Sequence, residues 1–385
     1  MSEPVETVWF VWVPSDQGAL AHATIKGAGW LLREVQPLNE GGRVGFPLTH
    51  SLSATERAAI ADEGVTVLAS DQRTVERRPA VDPHRRLARA VDEWFQHHLQ
   101  RPAPHDLQRP SKWERLGELV LVPEGSFTGR AWDDAHRHER AGELWANVAE
   151  ALGGRSLAVQ APIASDNFRS PQVTLLHGST QADFMDHGIA YRFDAARVMW
   201  SSGNVTERRR IGQLDLSGET VVDAYAGVGY YTLPMLVHGH AAHVHACEWN
   251  PASVAGLRTS AGLNNVEERL TVHQGDNAEA MAGLTGQADR VHLGLLPSSE
   301  AAWEAAVRCL RDGGGWLHVH MNVEEERIEA WAERTVEQLN DLATKHGRPF
   351  RFSADHLERV KWFAPRVRHV VLDACARPQL DSTHR

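Results

Sequence analysis

The stretch Val221-Val-Asp-Ala-Tyr-Ala-Gly-Val-Gly-Tyr-Tyr-Thr-Leu-Pro234 constrains this chain more than any other. Val221 and Val222 supply the β-branched run of a strand covered on both faces, and Gly227 and Gly229 let the backbone turn tightly and pass close to a ligand. A helix entered from such a turn aims its free N–H groups at the same place. A lone Gly-x-Gly is a weak signal, but the residues downstream strengthen it. A second apolar run, His243-Val-His-Ala-Cys247, ends in Glu248-Trp-Asn-Pro251, which puts a carboxylate where two ribose hydroxyls can be held. A third, Leu270-Thr-Val-His-Gln274, ends near Asp276 and Asn277, an acid and an amide suited to the amino edge of an adenine. Three successive strand tips thus offer polar groups to one crevice.

The glycine pattern separates two cofactor classes in part. A dinucleotide fingerprint wants a third small residue where the pyrophosphate packs, and here Gly229 is followed by Tyr230, Tyr231 and Thr232. With Asp223 inside the strand, the form Asp-x-Tyr-Ala-Gly-x-Gly instead resembles the S-adenosylmethionine (SAM) site of class I methyltransferase-like enzymes. An ordinary strand-turn-helix without a ligand is the bland alternative.

A chain of 385 residues with 42% hydrophobic content is long enough for two or three domains with cores. No apolar run reaches the ~18 residues of a membrane span, and Met1-Ser-Glu-Pro lacks the features of a signal peptide. Cys247, Cys309 and Cys375 are too few and too scattered for a disulfide framework or a zinc site, so a reducing, cytoplasmic location is expected. A formal charge of −10 argues against indiscriminate nucleic-acid binding but leaves room for a local basic face. Three clusters qualify: Arg85, Arg86 and Arg89; Arg109, Lys112 and Arg115; and Arg208, Arg209 and Arg210. For each, a solvated helix face is the simpler account.

Along the chain, residues 1–75 look like a small α/β domain, expected to contact tRNA, with strands expected at Val8–Val13, Arg43–Pro47 and Val65–Leu68. Charge and two prolines make 71–83 linker-like, and the connecting section, 76–104, holds most of that stretch and a helix from Pro83 to about His98. Residues 105–205 read as an α+β middle domain. It would hold a strand at Leu116–Pro123, an amphipathic helix from Ala135 to Leu152, and a strand pair formed by Val173–His177 and Asp186–Asp194. Within 199–211, Gly203 and Asn204 suit a tight turn and Thr206 a helix N-cap, with Arg208 on the first turn. From 206 to 385 alternating strands and helices describe a doubly wound, mostly parallel sheet. Leu357–Phe363 and Arg368–Asp373 close it as a hairpin, so one of them runs antiparallel.

The histidine pairs His243/His245 and His318/His320 share a face at i, i+2, but no ligand-spaced carboxylate or cysteine accompanies them. With 22 histidines in the chain, chance accounts for them and no metal is expected. The fourth strand tip, His292-Leu-Gly-Leu-Leu-Pro-Ser-Ser-Glu300, faces the reactive end of a bound SAM. It offers no side chain from Leu293 to Pro297 that could accept a proton from an attacking amine.

Five ordered motifs carry a more specific resemblance. Lys112-Trp-Glu-Arg-Leu-Gly-Glu-Leu-Val-Leu, Met199-Trp-Ser-Ser-Gly-Asn-Val-Thr-Glu, the Asp223 to Pro234 turn, Ala246-Cys-Glu-Trp-Asn-Pro and Leu293-Gly-Leu-Leu-Pro-Ser-Ser-Glu300 are similar to the tRNA wybutosine-synthesising aminocarboxypropyltransferases, a sister family of the tRNA guanine-37 N1-methyltransferases. The likeness runs from about 110 to 376. It implies a Rossmann-like class I SAM-dependent methyltransferase domain with a mostly parallel seven-stranded sheet, preceded by smaller α/β and α+β domains. It also implies SAM as co-substrate and transfer of its 3-amino-3-carboxypropyl group to carbon 7 of 4-demethylwyosine at position 37 of phenylalanine tRNA, releasing 5′-methylthioadenosine. Carried over residue by residue, the family's SAM contacts fall on Ser201, Arg208, Glu248, Asp276 and Asn277, beside Asp223, Gly227 and Gly229 of the turn. Arg208 and Ser201 would orient the transferred arm, and no general base is assigned. The alternatives are a guanine-37 N1-methyltransferase and a non-catalytic SAM- or tRNA-binding protein.

Overall fold

The computed structural model describes residues 5–32, 35–76, 82–164 and 170–379, in two compact units, 1–102 and 103–385. The first is built on an antiparallel sheet in which Val5–Pro14 is flanked by Arg43–Leu48 and Ala69–Glu76, with Leu38–Glu40 outermost. Alternation along the central strand buries Val11 and Val13 on one face, with Ala21, Ile25 and Ile60 of two helices, and Val8, Phe10 and Trp12 on the other. The expected strand at Val65–Leu68 is replaced by Ala69–Glu76, which overlaps the linker-like stretch 71–83. That strand is an edge, where charged side chains reach water, and Asp71 accepts from the Trp12 indole at 2.7 Å. Pro79 of the expected linker lies outside the described residues. The helix Pro83–His98 has the expected bounds, with Asp82 capping it and Arg85, Arg86 and Arg89 on its exposed face.

The second unit contains the seven-stranded sheet, with strands labelled β1 (Thr220–Asp223), β2 (His243–Glu248), β3 (Leu270–Gln274), β4 (Arg290–Leu293), β5 (Gly315–Glu324), β6 (Phe350–Ala364) and β7 (Val367–Pro378). Their order is β3-β2-β1-β4-β5-β7-β6. All neighbours are parallel up to β5, and β7 runs antiparallel to both β5 and β6, as the closing hairpin required. The strand order reverses between β2-β1 and β1-β4, which opens a crevice at the carboxyl ends of these strands.

Residues 105–205 and 206–385, read from the sequence as separate sections, share one apolar core. It joins Leu119, Ala158, Tyr191 and Phe193 to Ile211, Val221, Val228 and Leu257. Within 105–205 the expected single strand 116–123 is a hairpin, Glu114–Leu116 with Leu119–Pro123, turned at Gly117 with φ 66°. The expected helix 135–152 is two helices, Arg130–Arg137 and Ala141–Ala151, packed through Trp132, Trp145 and Phe127. The strand pairing also differs. Ile189–Asp194 pairs with Gln181–Asp186, whereas Gln172–His177 pairs with Ser156–Ala161. Two-residue turns join hairpin neighbours, and His187-Gly188, both at positive φ, supplies one between Asp186 and Ile189. No described helix is long and apolar enough to cross a membrane.

Candidate active site

The glycine turn leaves β1 at Asp223. Gly227 and Gly229 have φ of 56° and 94°, a conformation costly for any residue with a Cβ. A Cβ at Gly227 would stand 2.6 Å from the Tyr230 ring, and one at Gly229 2.7 Å from Leu257. Asp223 is fully buried beneath the turn. It accepts from the Thr232 hydroxyl at 2.7 Å and the Tyr225 N–H at 3.3 Å, so it braces the loop and does not face the crevice. The helix that follows, Thr232–Val237, is only six residues long, and the crevice is lined by Gly227 and Tyr230 rather than by its first turn.

The crevice encloses about 370 Å³. Its walls include Val198 and Met199 on one side, Glu248 at the end of β2 with Trp249 and Asn250 after it, Asp276 and Asn277 after β3, and Gly294 and Leu295 after β4. Glu248 is held by two backbone donors, Gly227 N–H to Oε2 and Asn250 N–H to Oε1, both at 2.8 Å. The Trp249 N–H also bonds this carboxylate, and its remaining acceptor capacity faces the crevice, where a ribose can donate. Burial is the largest influence on Glu248 and pushes its pKa up, against the pull of these N–H groups. Asp276 caps the helix Asn277–Ala282 through the Ala278 N–H at 2.7 Å. The Asn277 amide donates to the Ala224 carbonyl at 3.1 Å and also bonds the Tyr225 hydroxyl, tying the third strand tip to the first. Glu248, Asp276 and Asn277 therefore converge on one cavity, in a polar arrangement that suits an adenosine.

Ser201 and Arg208 lie beyond the end of that wall. The helix carrying Arg208 is Val205–Gly212, preceded by a single 3-10 turn, Ser202–Asn204, so Thr206 is inside the helix and not its cap. Arg208 is 3% exposed and donates to Asp186 Oδ2 at 2.8 and 3.1 Å and to the Ser201 carbonyl at 2.8 Å, with its guanidinium 4.8 Å from the Trp200 ring centre. Arg210 also turns inward, to Glu207 and Asp373, and only Arg209 of that cluster is exposed. The triple-arginine run is thus mostly internal ion pairing and not a basic face.

Beneath the fourth strand tip lies a histidine layer that spacing alone did not reveal. His292 Nε2 meets His320 Nε2 at 3.1 Å, and His320 Nδ1 meets His369 Nε2 at 3.0 Å. His318 lies between Asp373 at 2.6 Å and Arg290 at 2.7 Å, so one histidine of this pair does have a carboxylate neighbour, from a strand distant in sequence. Burial lowers the pKa of His318 and of His369 to about 4 and holds His320 well below its ordinary value. Among the described residues no group of three or more His, Cys, Asp or Glu side chains is arranged to hold a metal. Gly294 separates this layer from the crevice, since a Cβ there would stand 2.9 Å from the His292 ring. No acid or amide stands at the β4 tip. Tyr225, Tyr230 and Trp249 line the cavity, yet nothing in their spacing distinguished them from core aromatics.

The profile of the TRM5/TYW2 methyltransferase domain matches residues 183–349. A tRNA wybutosine-synthesizing protein 2 homolog of Danio rerio is 42% identical over 301 residues, covering 70% of this chain and 72% of that protein. A tRNA wybutosine-synthesizing protein 2/3/4 of Arabidopsis thaliana is 40% identical over 281 residues, which are 72% of this chain but only 28% of that longer protein. Among solved structures, Pyrococcus horikoshii TYW2 in complex with MeSAdo superposes with a TM-score of 0.58 at 25% identity, over 75% of this chain and all of that one.

Proposed function

The chain belongs to the tRNA wybutosine-synthesizing protein 2 family, and from that premise we propose that it transfers the 3-amino-3-carboxypropyl group of SAM to carbon 7 of 4-demethylwyosine at position 37 of phenylalanine tRNA. The by-product is 5′-methylthioadenosine. The observation that carries this over methyl transfer is the β4 tip, where Gly294 and Leu295 line the crevice and present no side chain able to take a proton from a ring nitrogen. A methyltransferase acting on guanine N1 needs such a group. An electron-rich aromatic carbon can attack first and lose its proton afterwards.

The residues present fit SAM. Glu248 would hold the ribose hydroxyls, and Asp276 with Asn277 the adenine side. The Gly227–Gly229 turn, braced by Asp223, would let the backbone pass close to the ligand. A sulfonium activates each carbon bonded to it, so the product depends on which carbon lies in line with the nucleophile. In this reading Arg208 takes the carboxylate of the methionyl arm and Ser201 adds a hydrogen bond, which turns that arm toward the base. Three buried free cysteines suit a reducing compartment, and we assign the activity to the cytoplasm.

Incubation with precursor tRNA and SAM, followed by mass spectrometry of nucleosides and small molecules, tests this. The expected result is 5′-methylthioadenosine and a base heavier by about 101 mass units, from the formula of the group placed in line. S-adenosylhomocysteine with a gain of about 14 units, one methylene, would mean the other carbon is in line and would overturn the assignment.

A further inference from the structure

The tip of the β6-β7 hairpin combines features the catalytic reading does not use. Residues 359–368, Arg-Val-Lys-Trp-Phe-Ala-Pro-Arg-Val-Arg, contain four cations and no acid in a chain of net charge −10. Successive residues of a regular strand point to opposite faces. Trp362 and Phe363 are nevertheless both exposed, at 53% and 59%. The register between β6 and β7 shifts between Trp362 and Ala364, leaving Phe363 as the extra residue of a bulge, and a bulge re-aims side chains in this way. The Arg368 guanidinium lies 3.9 Å from the Trp362 ring centre and steadies it from one side.

Two of the four cations are neutralised locally. Arg359 pairs with Glu329 and Arg368 with Glu325, both at 2.5 Å. The other two define the direction of the patch. Arg366 is exposed in the turn, at φ 63°. Lys361 lies on the inner side, its ammonium packed over Gly203, where burial and the Arg208 charge lower its pKa. Gly203 is four residues past Met199, which lines the crevice. Lys361, the residue before the aromatic pair, therefore lies against the segment that carries Ser201, within the same compact unit.

Aromatic rings on a cationic rim are what unpaired nucleotides recognise, since bases stack on the rings while phosphates meet the charges. A duplex backbone has no use for the rings, and an apolar protein partner none for the cations. Resting on the function proposed above, we infer that Trp362 and Phe363, with Lys361 and Arg366, form a stacking platform for unpaired nucleotides of the tRNA anticodon loop next to the modified base.

Fluorescence anisotropy with a labelled anticodon stem-loop of phenylalanine tRNA tests the platform in the full chain, with a blunt RNA duplex and SAM titrated in parallel. W362A/F363A should weaken stem-loop binding about ten- to a hundredfold while SAM and duplex binding stay within about twofold, and W362F should recover most of the loss. Arg366→Gln, which alters a turn side chain outside the sheet's packing, should reduce the salt slope of stem-loop binding by about one. If wild type binds the stem-loop and both W362A/F363A and Arg366→Gln bind it equally well, the platform is wrong and the catalytic reading stands. If wild type does not bind the stem-loop, the platform is likewise overturned, and the catalytic reading is decided separately by the product assay on whole tRNA. Equal losses on loop and duplex would replace stacking by backbone contact and also overturn the proposal.

Discussion

The two ends of the crevice are built differently. At the end proposed for adenosine, Glu248 is fixed by backbone N–H groups and Asn277 is tied to β1, so these polar groups are already in place. At the arm end, Arg208 is engaged with Asp186, the Ser201 carbonyl and Trp200, and it lies beyond the wall of the cavity. A ligand carboxylate would compete there with a carboxylate of the protein itself. The difference separates binding from choice of product. In the proposed reading a preorganised nucleoside site supplies affinity whichever carbon is transferred, whereas Arg208, to aim the arm, exchanges one anionic partner for another.

The largest expected effect comes from breaking the arm end alone. Arg208→Ala removes a charge-assisted fork, and with hydrogen bonds to charged groups at about 1.5–3 kcal/mol each, transfer of the aminocarboxypropyl group should fall about a thousandfold. Binding of 5′-methylthioadenosine, which lacks the arm's carboxylate, should be nearly unchanged by calorimetry. If both fall together, the two ends are coupled and Arg208 is holding the fold around Asp186. Arg208→Lys separates these accounts, because it keeps the charge and loses the fork.

Breaking the adenosine end should cost less in rate and more evenly in binding. Glu248→Ala deletes an acceptor for two hydroxyls and leaves the Gly227 and Asn250 N–H groups without their partner. At about 1.5 kcal/mol for each of two bonds, affinity for SAM and for 5′-methylthioadenosine should drop about a hundredfold alike. A normal affinity in titration would place the ribose elsewhere.

The same contrast governs what the sequence made legible. The adenosine end lies on consecutive strand tips, so the residues that serve it follow short motifs, and Glu248, Asp276 and Asn277 do meet in one cavity. The sheet was equally legible, because buried parallel strands are continuous apolar runs and the Pro365 turn marks the final hairpin. The arm end depends on contacts between distant segments. Asp186 reaches Arg208 across 22 residues, and nothing in the run of three arginines showed that two of them turn inward. Trp200, whose ring Arg208 covers, is reached only through a core shared by 105–205 and 206–385. The strand Ala69–Glu76 is hidden for another reason: an edge strand tolerates charge, and in the sequence such charge has the look of a linker. The pair His318/His320 reads as chance in the sequence because its partners, Asp373, His292 and His369, come from neighbouring strands.

That histidine layer supplies the last of the three tests, the one with the least expected effect on transfer itself, and it sharpens the comparison by asking what supports the β4 tip from below. His318, His320 and His369 are packed against Arg290, Arg210, Asp373, Lys361 and one another, and burial is the first cause that keeps each of them neutral in the folded protein. Their folded pKa values are depressed, to about 4 for His318 and His369, against 6.5 for an ordinary histidine. Above pH 6.5 folded and unfolded chains bind the same number of protons at these sites, so stability is flat there. Below it the unfolded chain takes up protons that the folded one refuses, and stability falls until the folded pKa is reached. The slope is about 1.4 kcal/mol per pH unit for each such histidine, a tenfold change in the folding equilibrium. Asp373 adds nothing in this window: burial would raise its pKa, but His318 and Arg210 outweigh that and hold it well below the carboxylate range. Urea midpoints should therefore decline steadily from pH 6.5 to pH 4.5, before ordinary carboxylates titrate, and remain level from pH 6.5 to 8. A midpoint that held constant down to pH 5 would mean that the layer accepts protons in the folded state. The floor of the reactive end would then be as polar and adaptable as its rim, and the contrast with the fixed adenosine end would extend through the whole thickness of the sheet.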